Sequence, residues 1–286
     1  MGLCANYLAA MQHQRKPKTW ASMNVHVRAY ILPYFGHDHL ARKLCAEDVR
    51  GFIREAMSNA FRPPRSRRTR PPMAATINRV LVTLRCVLAF GEQTGVLSTN
   101  VAAGVKTLPE QNTQRHRALT DVEVSAWLPG MLPATSRWVR FALATGLRRD
   151  EMWHLRWMDV DPDRRLLSVA VRDGWSPKGG AGRFVPLLSD ALDVVEELGG
   201  AGVGLVFGPA NRRRNMNTAW RRTRLPGRSP TPHDLRHTCA SRAAARGATL
   251  TDLMAWFAWE DPSTAARYLH AYDGRLAELA ERMERA

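Results

Sequence analysis

Apolar residues recur at three-to-four spacing through nearly the whole chain, and one region alone breaks that rule with two short apolar runs around a glycine-rich turn. Residues 3–60 and 73–97 read as helical, with Leu84, Val87, Leu88 and Gly91 following Val80 on one face. The exception is the pair Leu166–Val171 and Phe184–Leu187, apolar strands flanking the turn at 174–182. Such a pattern predicts a mainly α chain with a small antiparallel β-sheet, an α+β arrangement in which the sheet is minor.

The chain has 286 residues, and single cores stop growing near roughly 250 and commonly hold about 100–150, so two domains are expected. In the first, residues 62–72 interpose four prolines and five arginines between helical stretches, which predicts an exposed basic loop. Beyond Asn100 the chain turns polar as far as Arg117, and Thr120 with Glu123 then has the spacing of a capping box ahead of Val124 and Trp127. The boundary is placed near residue 112, giving an all-helical domain over 1–112 and a second over 113–286 that opens with helices, carries the two strands and returns to helix from about Ser189. In the tail from Asp273 to Ala286, Leu276, Leu279, Ala280 and Met283 share a face, suited either to docking on a neighbour or to packing on its own domain.

Lysine and arginine total 42 against 26 acidic residues, a net charge of +16, which points to an extended anionic partner: nucleic acid, or less readily a membrane surface. No run approaches the ~20 consecutive apolar residues of a membrane span, and the start of the chain lacks a basic segment followed by an apolar one. A soluble, intracellular protein is therefore expected. Cys4, Cys45, Cys86 and Cys239 show no paired spacing and lie in helical patterns, so they are read as reduced core residues. The basic residues are 37 Arg and five Lys, and Lys178 is the sole lysine after Lys106.

Four segments carry residues suited to chemistry. At Thr145-Gly146-Leu147-Arg148 a glycine turn leads into a helix on which Glu151, three residues on, can orient Arg148; taken alone this reads as a surface ion pair. Lys178 sits at the tip of the hairpin, where a flexible loop can deliver it to a ligand; Lys releases a proton to a leaving oxygen and Arg does not. His233, Arg236 and His237 project from one helical face behind Pro232, a donor cluster fit for phosphate, though also for a solvated helix start. Asp261 and Pro262 have the form of a helix start, and that helix carries Tyr268 and Tyr272; a tyrosine there is ordinarily a packing residue.

In this order and at this spacing, the four segments resemble the tyrosine recombinases, the family of phage integrases and site-specific recombinases. The resemblance spans nearly the whole chain, with Ile31-Leu32-Pro33-Tyr34-Phe35-Gly36 and Thr76-Ile77-Asn78-Arg79 matching helix ends of the family's N-terminal domain. It implies a helical DNA-clamping domain over 1–112, a catalytic domain over 113–286, and an active site of Arg148, Lys178, His233, Arg236, Trp259 and Tyr268. Trp259 lies nine residues before Tyr268, where members carry His or Trp, and that spacing favours Tyr268 over Tyr272 as nucleophile. Two positions depart from the family: Ala258 stands where most members have Gly, and Glu260 where a small residue is usual. No arm-site-binding domain is recognised ahead of the clamp.

The resemblance further implies strand exchange through a 3′-phosphotyrosine, without cofactor or metal, by a homo-tetramer on two double-stranded DNA sites, in a cytoplasmic, nucleoid-associated protein of the kind mobile elements encode. Two other readings stay open. One is a decayed relative that binds DNA without cutting it, marked by Ala258 and Glu260. The other is a zinc hydrolase using His233 and His237 with Asp234 as base, which Arg236 on the same face opposes and which has no third ligand beyond His270. A type IB topoisomerase would share the chemistry but relax supercoils. Target sequence and accessory proteins are not legible.

Overall fold

The structure is a computed structural model and describes residues 2–36, 41–58, 72–110, 118–172, 174–199, 202–208, 225, 230–269 and 283–284. The chain divides into two compact units, Met1–Thr113 and Gln114–Ala286. Most of the arginine–proline segment at 62–72 and of the tail from Asp273 lies outside the described residues, as do Tyr272 and His270.

The first unit is helical: α1 (Gly2–Gln12), α2 (Pro17–His26), a π-helical turn at Val27–Ile31, α3 (Leu32–Phe35), α4 (Ala46–Met57) and α5 (Ala74–Gln93). The helical reading of residues 3–60 is interrupted where the sequence has its stops. Pro17 opens α2, and Gly36 closes α3 at φ 81°. Pro33 has no N–H and crowds the carbonyl four residues back, and the widened π turn directly precedes it. Along α5, Ile77, Val80, Leu81, Leu84, Val87 and Leu88 form a buried stripe against Val27, Ile31, Val49 and Phe52. By length and composition α5 passes as a membrane span, contrary to the expectation that no segment would, yet half of it is buried among its neighbours as a core helix is. One cysteine also departs from expectation: Cys45 is exposed, because it occupies the residue before α4, where its N–H donates to the Asp48 carboxylate at 2.8 Å.

The second unit begins with α6 (Asp121–Trp127), capped reciprocally: the Glu123 N–H donates to Thr120 Oγ1 at 3.1 Å and the Thr120 N–H to Glu123 Oε2 at 2.9 Å. Then follow α7 (Pro133–Thr145), α8 (Arg149–His154), and strands β1 (Val160–Asp161), β2 (Leu166–Val169) and β3 (Arg183–Pro186). The sheet is antiparallel in the order β1-β2-β3, with Leu167 opposite both Val160 and Val185. β1 is two residues long, too short to show any period in sequence. After α9 (Ser189–Glu197) come α10 (Pro232–Ala245), α11 (Leu250–Phe257) and α12 (Pro262–Leu269). The main core joins Trp138, Phe141, Leu147 and Met152 to Leu167 and Val185 of the sheet and to Leu235 of α10. A smaller cluster of Cys239, Leu253, Phe257 and Ala265 seats α11 and α12 on α10. These two clusters fix the ends of α7, α10, α11 and α12 beside one another.

Candidate active site

The site forms where two helices end in left-handed turns. Helix α7 stops at Gly146, φ 65°, where a side chain would place its Cβ 2.4 Å from the Phe257 ring, so glycine is required both by conformation and by space. Helix α11 stops at Ala258, φ 44° and ψ 60°, and the Trp259 N–H reaches back to the Met254 carbonyl at 3.1 Å in a Schellman closure. Ala258, at the position where a family glycine is expected, thus adopts a left-handed conformation of the kind glycine favours, and Trp259 follows it directly.

Both turns expose carbonyl oxygens to arginines. Arg236, on α10, is 2% exposed; its Nη1 donates to the Gly146 carbonyl at 2.8 Å and its Nη2 to that of Phe257. Its guanidinium also lies over the Phe257 and Trp259 rings, 5.0 and 5.5 Å from their centroids. Arg148, at the start of α8, donates from Nη2 to the Phe257 and Ala258 carbonyls at 3.3 and 3.2 Å, and from Nη1 to Glu151 Oε1 at 3.0 Å.

The Arg148–Glu151 pair is not a surface feature. Glu151 is 3% exposed and also receives both terminal nitrogens of Arg183, at 3.1 and 2.7 Å, while Arg183 Nε donates to the Trp256 carbonyl at 2.8 Å. Burial by itself would raise the Glu151 carboxyl, but hydrogen bonds from Arg183 and Arg148 and their charges outweigh it and bring it down to about 2. One carboxylate therefore serves two arginines. The third, Arg236, has no carboxylate partner among the described residues; burial, with the Arg148 cation beside it, lowers its pKa to about 9, which still leaves it charged at neutral pH. A buried site holding three guanidiniums and one carboxylate is short of negative charge, as a phosphate-binding site is.

Tyr268, on α12, enters the same place. Its ring stacks on Trp259 at 5.0 Å and 10°, and through Trp259 it belongs to the stack over Arg236. Burial pushes its phenol up to about 12 against the opposing pull of Arg236 and Arg267. Helix α12 starts where expected: the Asp261 carboxylate accepts from the Ser263 N–H at 2.9 Å and from its hydroxyl at 2.7 Å.

The other two sequence candidates lie at the rim. Lys178 is exposed in the β2–β3 loop and makes no hydrogen bond or ion pair among the described residues, although the neighbouring Gly179 approaches Glu260 of the Trp259 turn: a Cβ there would be 3.0 Å from Oε1. His233 is exposed at the start of α10, edge-on to His237 with ring centroids 4.5 Å apart. Two participants were not singled out from sequence, namely Arg183 and the contact between His237 and Tyr268. Arg183 has a signal only in the strand register, where it is the partner of buried Val169 and the intervening Phe184 is the residue turned outward, 67% exposed. As for zinc, no group of three or more metal-ligating side chains occurs among the described residues.

A helical unit followed by a unit that brings Arg148, Arg236 and Tyr268 together at one helix-ending turn is the arrangement expected of a tyrosine recombinase. The chain belongs to the phage integrase family, whose model matches residues 131–275. Among its relatives, prophage integrase IntR of Escherichia coli (strain K12) is 31% identical over 128 residues, 43% of this chain, which spans only 31% of that protein's length. The tyrosine recombinase XerC of Rhizobium meliloti (strain 1021) is 26% identical over 96% of this chain and 91% of its own. In fold, the chain matches the Tn1549 transposon integrase, solved in complex with a circular intermediate DNA, with a TM-score of 0.70 over all of both chains at 18% identity.

Proposed function

We propose that the protein is a site-specific DNA recombinase that cuts and rejoins strands through a phosphotyrosine, with Tyr268 as nucleophile. The observation that carries the reading is the meeting of Tyr268 with Arg148 and Arg236 around the turn at Phe257, Ala258 and Trp259, in a pocket with more cations than carboxylates. In this reading Tyr268 Oη bonds to a backbone phosphorus, the bond to the 5′-oxygen breaks, and the 3′-phosphate remains on the enzyme. The freed 5′-hydroxyl of a partner strand reverses the step, so the bond energy is conserved and no nucleotide is consumed. Arg148 and Arg236 neutralise charge growing on the non-bridging oxygens, where a preorganised donor supplies about 3 kcal/mol. Lys178, on its exposed loop, protonates the departing 5′-oxygen; His233 and Trp259 complete the phosphate cradle.

The helical first unit clamps duplex DNA in this scheme, and four protomers act on two sites. The arginines supply the positive charge, so the reaction proceeds in a chelator.

The test is to express wild type and Tyr268→Phe in cells carrying the native flanking DNA, denature them, and sequence the DNA still bound to protein. Covalent adducts at discrete sites with wild type alone are expected. Adducts with neither, from folded protein that binds DNA, would move the assignment to a non-cutting relative.

A further inference from the structure

We propose that His237 is the base that takes the phenol proton of Tyr268, an inference that rests on the phosphotyrosine reading above. The Tyr268 hydroxyl and His237 Nδ1 are in hydrogen-bond contact, and the two rings stack at 5.6 Å and 26°. His233, the histidine the family motif offers, meets the edge of His237 at 4.5 Å and 82° and is exposed, whereas His237 is half-buried in contact with the reacting oxygen. His237 is one turn further along α10, on the face that α12 covers.

The chemistry of the phenol makes such a contact necessary. With its pKa pushed up by burial to about 12, the hydroxyl is a poor nucleophile until a neighbour receives its proton. Free ionisation at neutral pH would then leave about one molecule in 10⁵ reactive. A neutral imidazole has an ordinary pKa of about 6.5, close to the working pH and so suited to both directions of a reversible step. As Tyr268 Oη bonds to phosphorus and the 5′-oxygen departs, the phenol proton passes to His237 Nδ1; on rejoining, the phenolate leaves phosphorus and takes that proton back. Among the described residues, the charged and titratable groups beside the pair include His233 and Arg236 on α10 and Arg267 on α12, while α11 contributes apolar Leu253 and Phe257.

The experiment has a protein arm and a DNA arm. In the first, ¹⁵N-imidazole spectra of wild type and Tyr268→Phe are compared; one Nδ1 resonance in the hydrogen-bonded acceptor range is expected in wild type and lost in the variant. An unmoved histidine spectrum overturns the contact. In the second, a duplex of the sequence recovered from wild-type adducts is cut in single turnover across pH by wild type, His237→Asn and His233→Asn. The Asn side-chain oxygen replaces Nδ1 as an acceptor but takes no proton. His237→Asn is expected to be about 10²–10⁴-fold slower at neutral pH, its rate climbing about tenfold per pH unit where wild type has levelled off. His233→Asn is expected to keep the wild-type profile shape. A wild-type rate and profile in His237→Asn, a faster rate, or the climbing profile in His233→Asn instead overturns the proposal. Wild type that forms no adduct defeats the phosphotyrosine reading itself and this inference with it.

Discussion

Ala258 holds φ 44° and ψ 60° at the point where Arg148 donates to its carbonyl and Trp259 begins. A left-handed residue with a Cβ carries a penalty of roughly 1–2 kcal/mol, tolerated here because the Schellman closure and the arginine contacts determine the turn from both sides. Ala258→Gly should therefore stabilise the second unit by about 1 kcal/mol, after the greater unfolded-state freedom of glycine is subtracted. Chemical denaturation checks this, and an unchanged or lower midpoint would show that the turn is not strained. The sequence marked the position as a departure from the family; that the backbone adopts the glycine conformation regardless is a result of packing, since Phe257 beneath it is fully buried.

At the scale of elements, Glu151 is the tie between α8, which carries it, and β3, which carries Arg183. Its carboxyl lies at about 2 in the folded chain against an ordinary value of 4.5, so its contribution is fully present above the unfolded pKa and is lost as pH falls from about 4.5 towards 2. The shift corresponds to about 3 kcal/mol as an order of magnitude. Glu151→Gln should be markedly less stable than wild type at pH 6, with the gap narrowing by pH 3; equal denaturation midpoints at pH 6 would refute the role. From sequence, the pair Arg148 and Glu151 is a helix-surface spacing. What buries it is the register of β3, which turns Arg183 inward and Phe184 outward, the reverse of what side-chain polarity favours. The hairpin itself was legible because its two strands are apolar runs on either side of glycines; β1 was not, being two residues paired through the sheet.

For the molecule as a whole, a net charge of +16 predicts that binding to any duplex DNA is dominated by phosphate contacts and falls steeply with salt. Anisotropy titrations on an arbitrary duplex between about 50 and 200 mM salt should give a straight line of log affinity against log salt, steep enough for several neutralised phosphates. A nearly flat line would remove electrostatics as the basis of binding. Each unit has a core of its own, Ile77, Leu81 and Leu84 with Phe52 in the first, Phe141, Leu147 and Leu235 in the second.

The sequence by itself determined the helical periodicity, the lone hairpin and the order of Arg148, Lys178, His233, Arg236, Trp259 and Tyr268, because spacing along a helix and turn chemistry are local properties. Only the tertiary structure decided that Arg183 shares Glu151, that Ala258 completes a left-handed turn, and that His237 meets the Tyr268 hydroxyl. Arg183 meets Glu151 through the register of β3 and the packing of the main core, and His237 meets Tyr268 through the burial of Phe257, Leu253 and Ala265 against α10; neither packing event has a signature in any one segment.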